Sequence, residues 1–96
     1  MKLLLCTKCS DIIKLDYELR RCKCGAVGGI YKSDGLYATV FPKEAIAIGI
    51  SNKDLSYYIR TNEDMSRMDI DCWIIDKYSD RIERLDEEEF TKKYLG

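Results

Sequence analysis

The chain has 96 residues, 46% of them hydrophobic and 34% charged, with a formal net charge of −1 and no histidine. That length holds one domain, and the composition is that of a folded globular chain. The missing histidine removes the commonest general base and every His-dependent nucleophile pair or metal ligand, so an enzyme is not expected.

A single domain of this size buries only roughly 60–65% of its unfolded surface, so it gains from a staple. The charge is uneven: residues 1–43 carry eight Lys/Arg against four acids, and residues 44–96 eight against thirteen. A +4 end joined to a −5 end is a weak electrostatic footprint for nucleic acid. The opening M-K-L-L-L-C falls short of the roughly 7–15 apolar residues of a signal h-region. No later run reaches the ~20 apolar residues of a membrane span. The expected location is the cytoplasm, without membrane contact and with thiols kept reduced.

In chain order, the apolar run at 2–5 predicts a strand leading into Cys6. Residues 12–19 mix period two with a helical stripe, and their β-branched and aromatic content favours a strand. Gly25, Gly28 and Gly29 read as turn and bulge positions, because no helix start follows to make them a phosphate loop. Residues 29–32 and 36–41 form a predicted hairpin about Asp34-Gly35, with Pro42 ending its second strand and Tyr31 facing Tyr37. The run at 44–50 is a predicted central strand with a close approach at Gly49. Ser51, with Asp54 three residues on, caps a predicted helix over 52–61 whose buried stripe is Leu55, Tyr58 and Ile59. Residues 68–76 alternate as a strand with Met68, Ile70, Cys72 and Ile74 on one face, which predicts a buried Cys72 thiol. A short strand at 81–85 and a helix at 86–95 capped by Asp86, with Glu89 in the first turn, complete the chain. The expected fold is α+β: small metal-clipped β-hairpins at about 1–32, then an antiparallel sheet with one or two short helices at about 33–96, all one domain.

The chemistry lies in Cys6, Cys9, Cys22 and Cys24. Two close pairs, each able to reach one metal from a single turn, suit a tetrahedral four-thiolate site. Zn2+ is favoured over an iron–sulfur centre or unliganded thiols, and a closed set of four ligands makes it structural. Lys8 and Lys23 sit inside the two turns, where their charge offsets that of four thiolates. The carboxylates Asp69, Asp71 and Asp76, and the run 86–89, read as a solvated strand face and a helix first turn.

The C-x-x-C … C-x-C-G stretch resembles the zinc-ribbon group. The wider order of Cys6, Cys9, Cys22, Cys24-Gly25, Gly28-Gly29, Tyr31, Asp34 and the A-I-A-I-G-I-S-N at 45–52 resembles a set of short bacteriophage and bacterial proteins without an assigned activity. Those carry A-I-P-L-G-I where this chain has alanine at 47. The resemblance implies a small phage- or prophage-type protein and brings no catalytic residue.

The expected function is a non-enzymatic interaction module that binds a protein partner, as a phage accessory or host-directed protein. Two alternatives stand beside it. One is nucleic-acid binding through Lys8, Arg20, Arg21, Lys23 and Lys32 with tyrosine stacking. The other is capture of a small anionic ligand, such as a nucleotide, at the helix start Ser51-Asn52.

Overall fold

The computed structural model describes residues 1–95. It contains eight strands and two helices: β1 (Lys2–Leu5), β2 (Ile12–Lys14), β3 (Arg20–Arg21), β4 (Gly28–Tyr31), β5 (Ala38–Phe41), β6 (Ile46–Ile50), α1 (Asn52–Thr61), β7 (Cys72–Ile74), β8 (Ile82–Arg84) and α2 (Glu87–Tyr94). They build two four-stranded sheets, in the orders β2-β1-β6-β7 and β3-β4-β5-β8. The fold is α+β, as the sequence predicts. The second sheet is mixed, because β8 runs parallel to β5.

The two sheets enclose the core. Leu4 and Ala47 are register partners on the first sheet, while Ala38, Val40 and Ile82 come from the second. Leu15 and Val27 close the space between them. β5 is buried along its whole length because each of its faces is covered. Ala38 and Val40 belong to the inter-sheet cluster, whereas Phe41 stacks on Phe90 of α2, centroids 4.6 Å apart. Thr39, on that same α2 side, places its hydroxyl 2.7 Å from the Tyr94 hydroxyl and donates to Glu83. Asp86 caps α2 by accepting from the Glu89 N–H at 2.8 Å, with acids in its first turn and lysines in its last, opposing the helix dipole.

The segments 1–32 and 33–96 share both sheets: β1 pairs with β6, and β4 pairs with β5. The predicted strand at 12–19 divides. β2 ends at Lys14, Leu15 turns into the core, and Arg20–Arg21 joins the other sheet. β4 begins at Gly28, so Gly28 is a strand residue and not a turn, while Gly29 lies in the strand as predicted. A methyl group on Gly28 would meet the Arg20 carbonyl at 2.7 Å and the Phe41 ring at 2.6 Å. The Asp34-Gly35 hairpin has a four-residue loop, since Lys32 N–H donates to Tyr37 C=O. Only Gly35 in it has positive φ, while the Asp34 carboxylate accepts from Leu36 and Tyr37 N–H. Tyr31 accordingly packs against Tyr17, not Tyr37.

Three expectations after residue 50 change. α1 is capped by Ser51 as predicted, but no residue of it is buried, and Ile59 is 69% exposed. Of the strand expected at 68–76, only Cys72–Ile74 pairs, as the edge of the first sheet. Cys72 is therefore exposed and no core thiol. Alternation identifies side chains that share a face, but Cys72 and Ile74 stay exposed at that edge. Gly49 does admit a close approach, as predicted: the Trp73 ring lies against it, and a Cβ there would fall 2.4 Å from the ring.

Candidate metal centre

Each cysteine pair occupies the turn of a hairpin, and the two hairpins belong to different sheets. β1 runs into Cys6, the chain turns through Cys9, and β2 returns beside β1. β3 runs into Cys22, turns through Cys24, and β4 returns beside β3. The turns share one construction. The residue after the last cysteine of each, Ser10 and Gly25, takes a left-handed φ of 60° and 80°. Ser10 N–H then donates to Cys6 C=O, and Gly25 N–H to Cys22 C=O. Gly25 supplies the freedom anticipated from its lack of a side chain, while Ser10 takes the same conformation at a steric cost.

The four sulfur atoms all lie within 4.8 Å of one another. Cys24 Sγ is 3.6 Å from both Cys6 Sγ and Cys22 Sγ. A tetrahedron of metal–sulfur bonds about 2.3 Å long has edges of about 3.8 Å, so the thiols stand where such a metal needs them. They are free cysteines, and 3.6 Å is far outside disulfide bonding. The chain thus carries a four-cysteine cluster fit to bind a metal ion.

The surroundings prepare the thiolates. Cys6 and Cys22 are buried, Cys9 half-buried and Cys24 exposed. Burial pushes the Cys22 thiol up, but the Val27 N–H, 3.4 Å from its sulfur, and the neighbouring thiols together bring it down to about 6. Cys9 is lowered chiefly by the Cys24 and Asp11 main-chain N–H groups. For Cys24 the Ala26 N–H favours the thiolate, yet burial and the three neighbouring thiols outweigh it and raise the group to about 11. Without a cation the cluster resists its last deprotonation, which is the condition a metal relieves.

The sequence reading did not include Asp11. Its carboxylate accepts from the Lys23 main-chain N–H at 2.9 Å, and its carbonyl accepts from Cys6 N–H. It is the polar link between the two turns. The only signal for it was its place two residues after Cys9, just past the left-handed Ser10.

The other candidate residues scatter. Lys8 and Lys23 are exposed on the two turns. Arg20 pairs with Asp16 at 3.3 Å, and Lys32 lies 4.0 Å from Glu83. Arg21 pairs with Glu87 at 2.9 Å, donates to Gly25 C=O and lies over the Phe41 ring. It thereby ties the second cysteine turn to α2. Ser51 and Asn52 sit at the far end of the first sheet from the cluster, on the rim of a cleft of about 650 Å³. No helix among the described residues is long and apolar enough to cross a membrane. Comparisons with protein-family models, with curated proteins and with solved structures find no match to this chain.

Proposed function

We propose that Cys6, Cys9, Cys22 and Cys24 hold one structural Zn2+ in a zinc-ribbon-like arrangement, and that the domain it clasps is a non-enzymatic module binding a protein partner. Four thiolates fill a tetrahedral shell and leave no place for a reacting water, which supports a structural role. One observation carries the protein-binding reading. Register places two rows on the outer face of the first sheet, Ile12–Leu5–Ile46 and, with Lys14 at its edge, Leu3–Ile48–Ile74, away from the core partners Leu4 and Ala47. Ile12 and Ile74 there are 54% and 68% exposed, and α2 packs on β5 of the other sheet. A contiguous aliphatic sheet face is the kind of surface a protein partner covers.

The nucleic-acid reading draws less support. Arg20 and Arg21 are engaged by Asp16 and Glu87, and Lys32 stands beside Glu83, which leaves Lys8 and Lys23 free of ion pairs among the described residues. A host-directed or accessory role is compatible with a small stapled module of this kind.

Native mass spectrometry is expected to show one zinc per chain; an iron-containing or metal-free chain would refute the metal assignment. For the partner, the intact protein and an Ile46→Lys/Ile74→Lys variant of equal melting temperature are each crosslinked in host extract. A protein captured by the first and lost by the second is the expected result. Identical capture profiles for the two would refute the surface.

A further inference from the structure

The two sheets are clasped at one end by the cysteine cluster; at the other the Lys2 main-chain N–H donates to the Tyr31 hydroxyl at 2.8 Å, and a cleft opens beside that bond. β1 runs from Lys2 at the open end to Leu5 beside the cluster, and β4 runs from Gly28 beside the cluster to Tyr31 at the open end. The open mouth is the cleft of about 650 Å³, a volume in the range of small-molecule sites. One wall is a register row of the first sheet, Lys2–Gly49–Trp73, on the same face as Leu4 and Ala47. The facing wall brings Tyr31, Leu36 and Arg81 from the other side.

Two properties of this mouth point to a ligand. The first is charge. Lys2 and Arg81 line it without an ion pair among the described residues, and Lys14 stands at its rim. Its one carboxylate, Asp16, is taken by the Tyr17 N–H at 2.7 Å and by Arg20. Lys2 Nζ donates to the Leu36 carbonyl at 2.7 Å and lies over the Tyr31 ring, 5.5 Å from its centroid. Burial and the nearby Arg81 charge hold the Lys2 ammonium below its usual range, against an opposing pull from Asp34. A partly desolvated ammonium with the exposed Arg81 guanidinium nearby is relieved by an anion between the two. The second property is aromatic surface. Gly49 has no side chain, so the Trp73 ring lies flat on β6, half exposed, with Tyr17 and Tyr31 also in the lining.

We propose that this mouth binds a nucleotide, with its phosphate between Lys2 and Arg81 and its base against the exposed face of Trp73. Ser51 and Asn52 at the rim place the start of α1 there, where the Asp54 N–H is taken by the Ser51 hydroxyl and the Asn52 and Lys53 N–H groups are left to favour the same charge. Recognition of a flat ring by stacking and of a phosphate by paired cations needs no catalytic group. The site lies on the inner side of the first sheet, so it stands apart from the outer face proposed for a protein partner.

Trp73 is the chain's only tryptophan, and its emission reports directly on the site. The metal-loaded protein is titrated with AMP, GMP, CMP and UMP, and separately with adenosine and with inorganic phosphate. At least one monophosphate is expected to change the emission saturably with a dissociation constant below about 1 mM, while adenosine and phosphate bind at least about tenfold more weakly. Arg81→Ala and Lys2→Met, each checked for an unaltered melting temperature, should each weaken that monophosphate about tenfold or more. Calorimetry with Trp73→Phe, which keeps a smaller ring, should show retained but weaker binding. No saturable response to any monophosphate up to about 10 mM overturns the proposal, as does unchanged affinity in both charge variants. A single-stranded oligonucleotide binding more than about tenfold tighter than every mononucleotide also overturns it, since the mouth would then be part of a strand-binding surface.

Discussion

The main-chain N–H of Lys23 donates to the Asp11 carboxylate at 2.9 Å, so the second cysteine turn hangs on a side chain of the first. The bond orients a turn that carries two of the four sulfurs, and groups that orient ligands govern metal affinity about as strongly as some ligands do. Asp11→Ala should therefore lower metal affinity about 10- to 100-fold, as read by competition with a chromophoric chelator. Asp11→Asn keeps an acceptor and should lose much less. Equal losses in the two variants would show that the carboxylate's charge matters and the hydrogen bond does not.

Removing the metal should cost more than any single core substitution. Structural zinc in four-ligand sites contributes on the order of 10–16 kcal/mol of apparent binding free energy, comparable to the whole stability of a small domain. Treatment with a strong chelator under reducing conditions is expected to abolish the cooperative thermal transition followed by circular dichroism. One equivalent of zinc should restore it. A melting temperature indifferent to chelator would sink the structural-metal assignment.

Two glycines give opposite expectations for the same substitution. At Gly28 a methyl group would strike the Arg20 main-chain carbonyl and the fully buried Phe41 ring, neither of which can withdraw. At Gly49 the three nearest atoms it would meet all belong to Trp73, half exposed on an edge strand and free to swing outward. Overpacking of this kind costs about 1–3 kcal/mol, and Gly28→Ala should lie at the upper end and Gly49→Ala at the lower. Gly49→Ala alone should shift the tryptophan emission to longer wavelength, because its ring would leave the strand. Urea unfolding and the emission maximum check both statements.

Acid should loosen the α2 side of the second sheet. The Lys93 ammonium, bonded to the Glu83 carboxylate at 2.8 and 2.9 Å, holds Glu83 below the usual carboxylate range, with Thr39 and Lys32 assisting against a smaller opposing effect of burial. A carboxyl group lowered on folding contributes stability that is present above its unfolded value of about 4.3 and lost as pH falls through its lower folded value. The cluster thiols also take up protons in acid, so the informative quantity is a difference. Stability of the wild type minus that of Glu83→Gln should shrink as pH falls from 6 towards about 3. A difference independent of pH would show that Glu83 contributes nothing through its charge.

What the sequence reveals about this molecule is what is local. The paired cysteines, the cap of Ser51 on Asp54 and that of Asp86 on Glu89 are contacts within a few residues, and each is found where the pattern puts it. Alternation at 68–76 and the stripe on α1 were read as signs of burial, yet Cys72, Ile59 and Ile74 are exposed. Periodicity tells which side chains share a face; whether another element covers that face depends on distant chain. The same limit hid the parallel pairing of Ala38 with Ile82, which no residue near either position encodes. It also hid the cleft, whose walls come from both ends of the sequence.

The placing of the two cysteine turns on different sheets also bears on how the chain assembles. Cys6 and Cys24 are 18 residues apart, whereas Lys2 must find Gly49 across 47. Closing the shorter loop costs less chain entropy and comes sooner. A metal caught early by the four thiolates would hold the two hairpins side by side before β5 and β6 arrive, giving each a ready edge on which to add. Ion supply would then govern the rate at which the native chain appears, and not only its final resistance to heat.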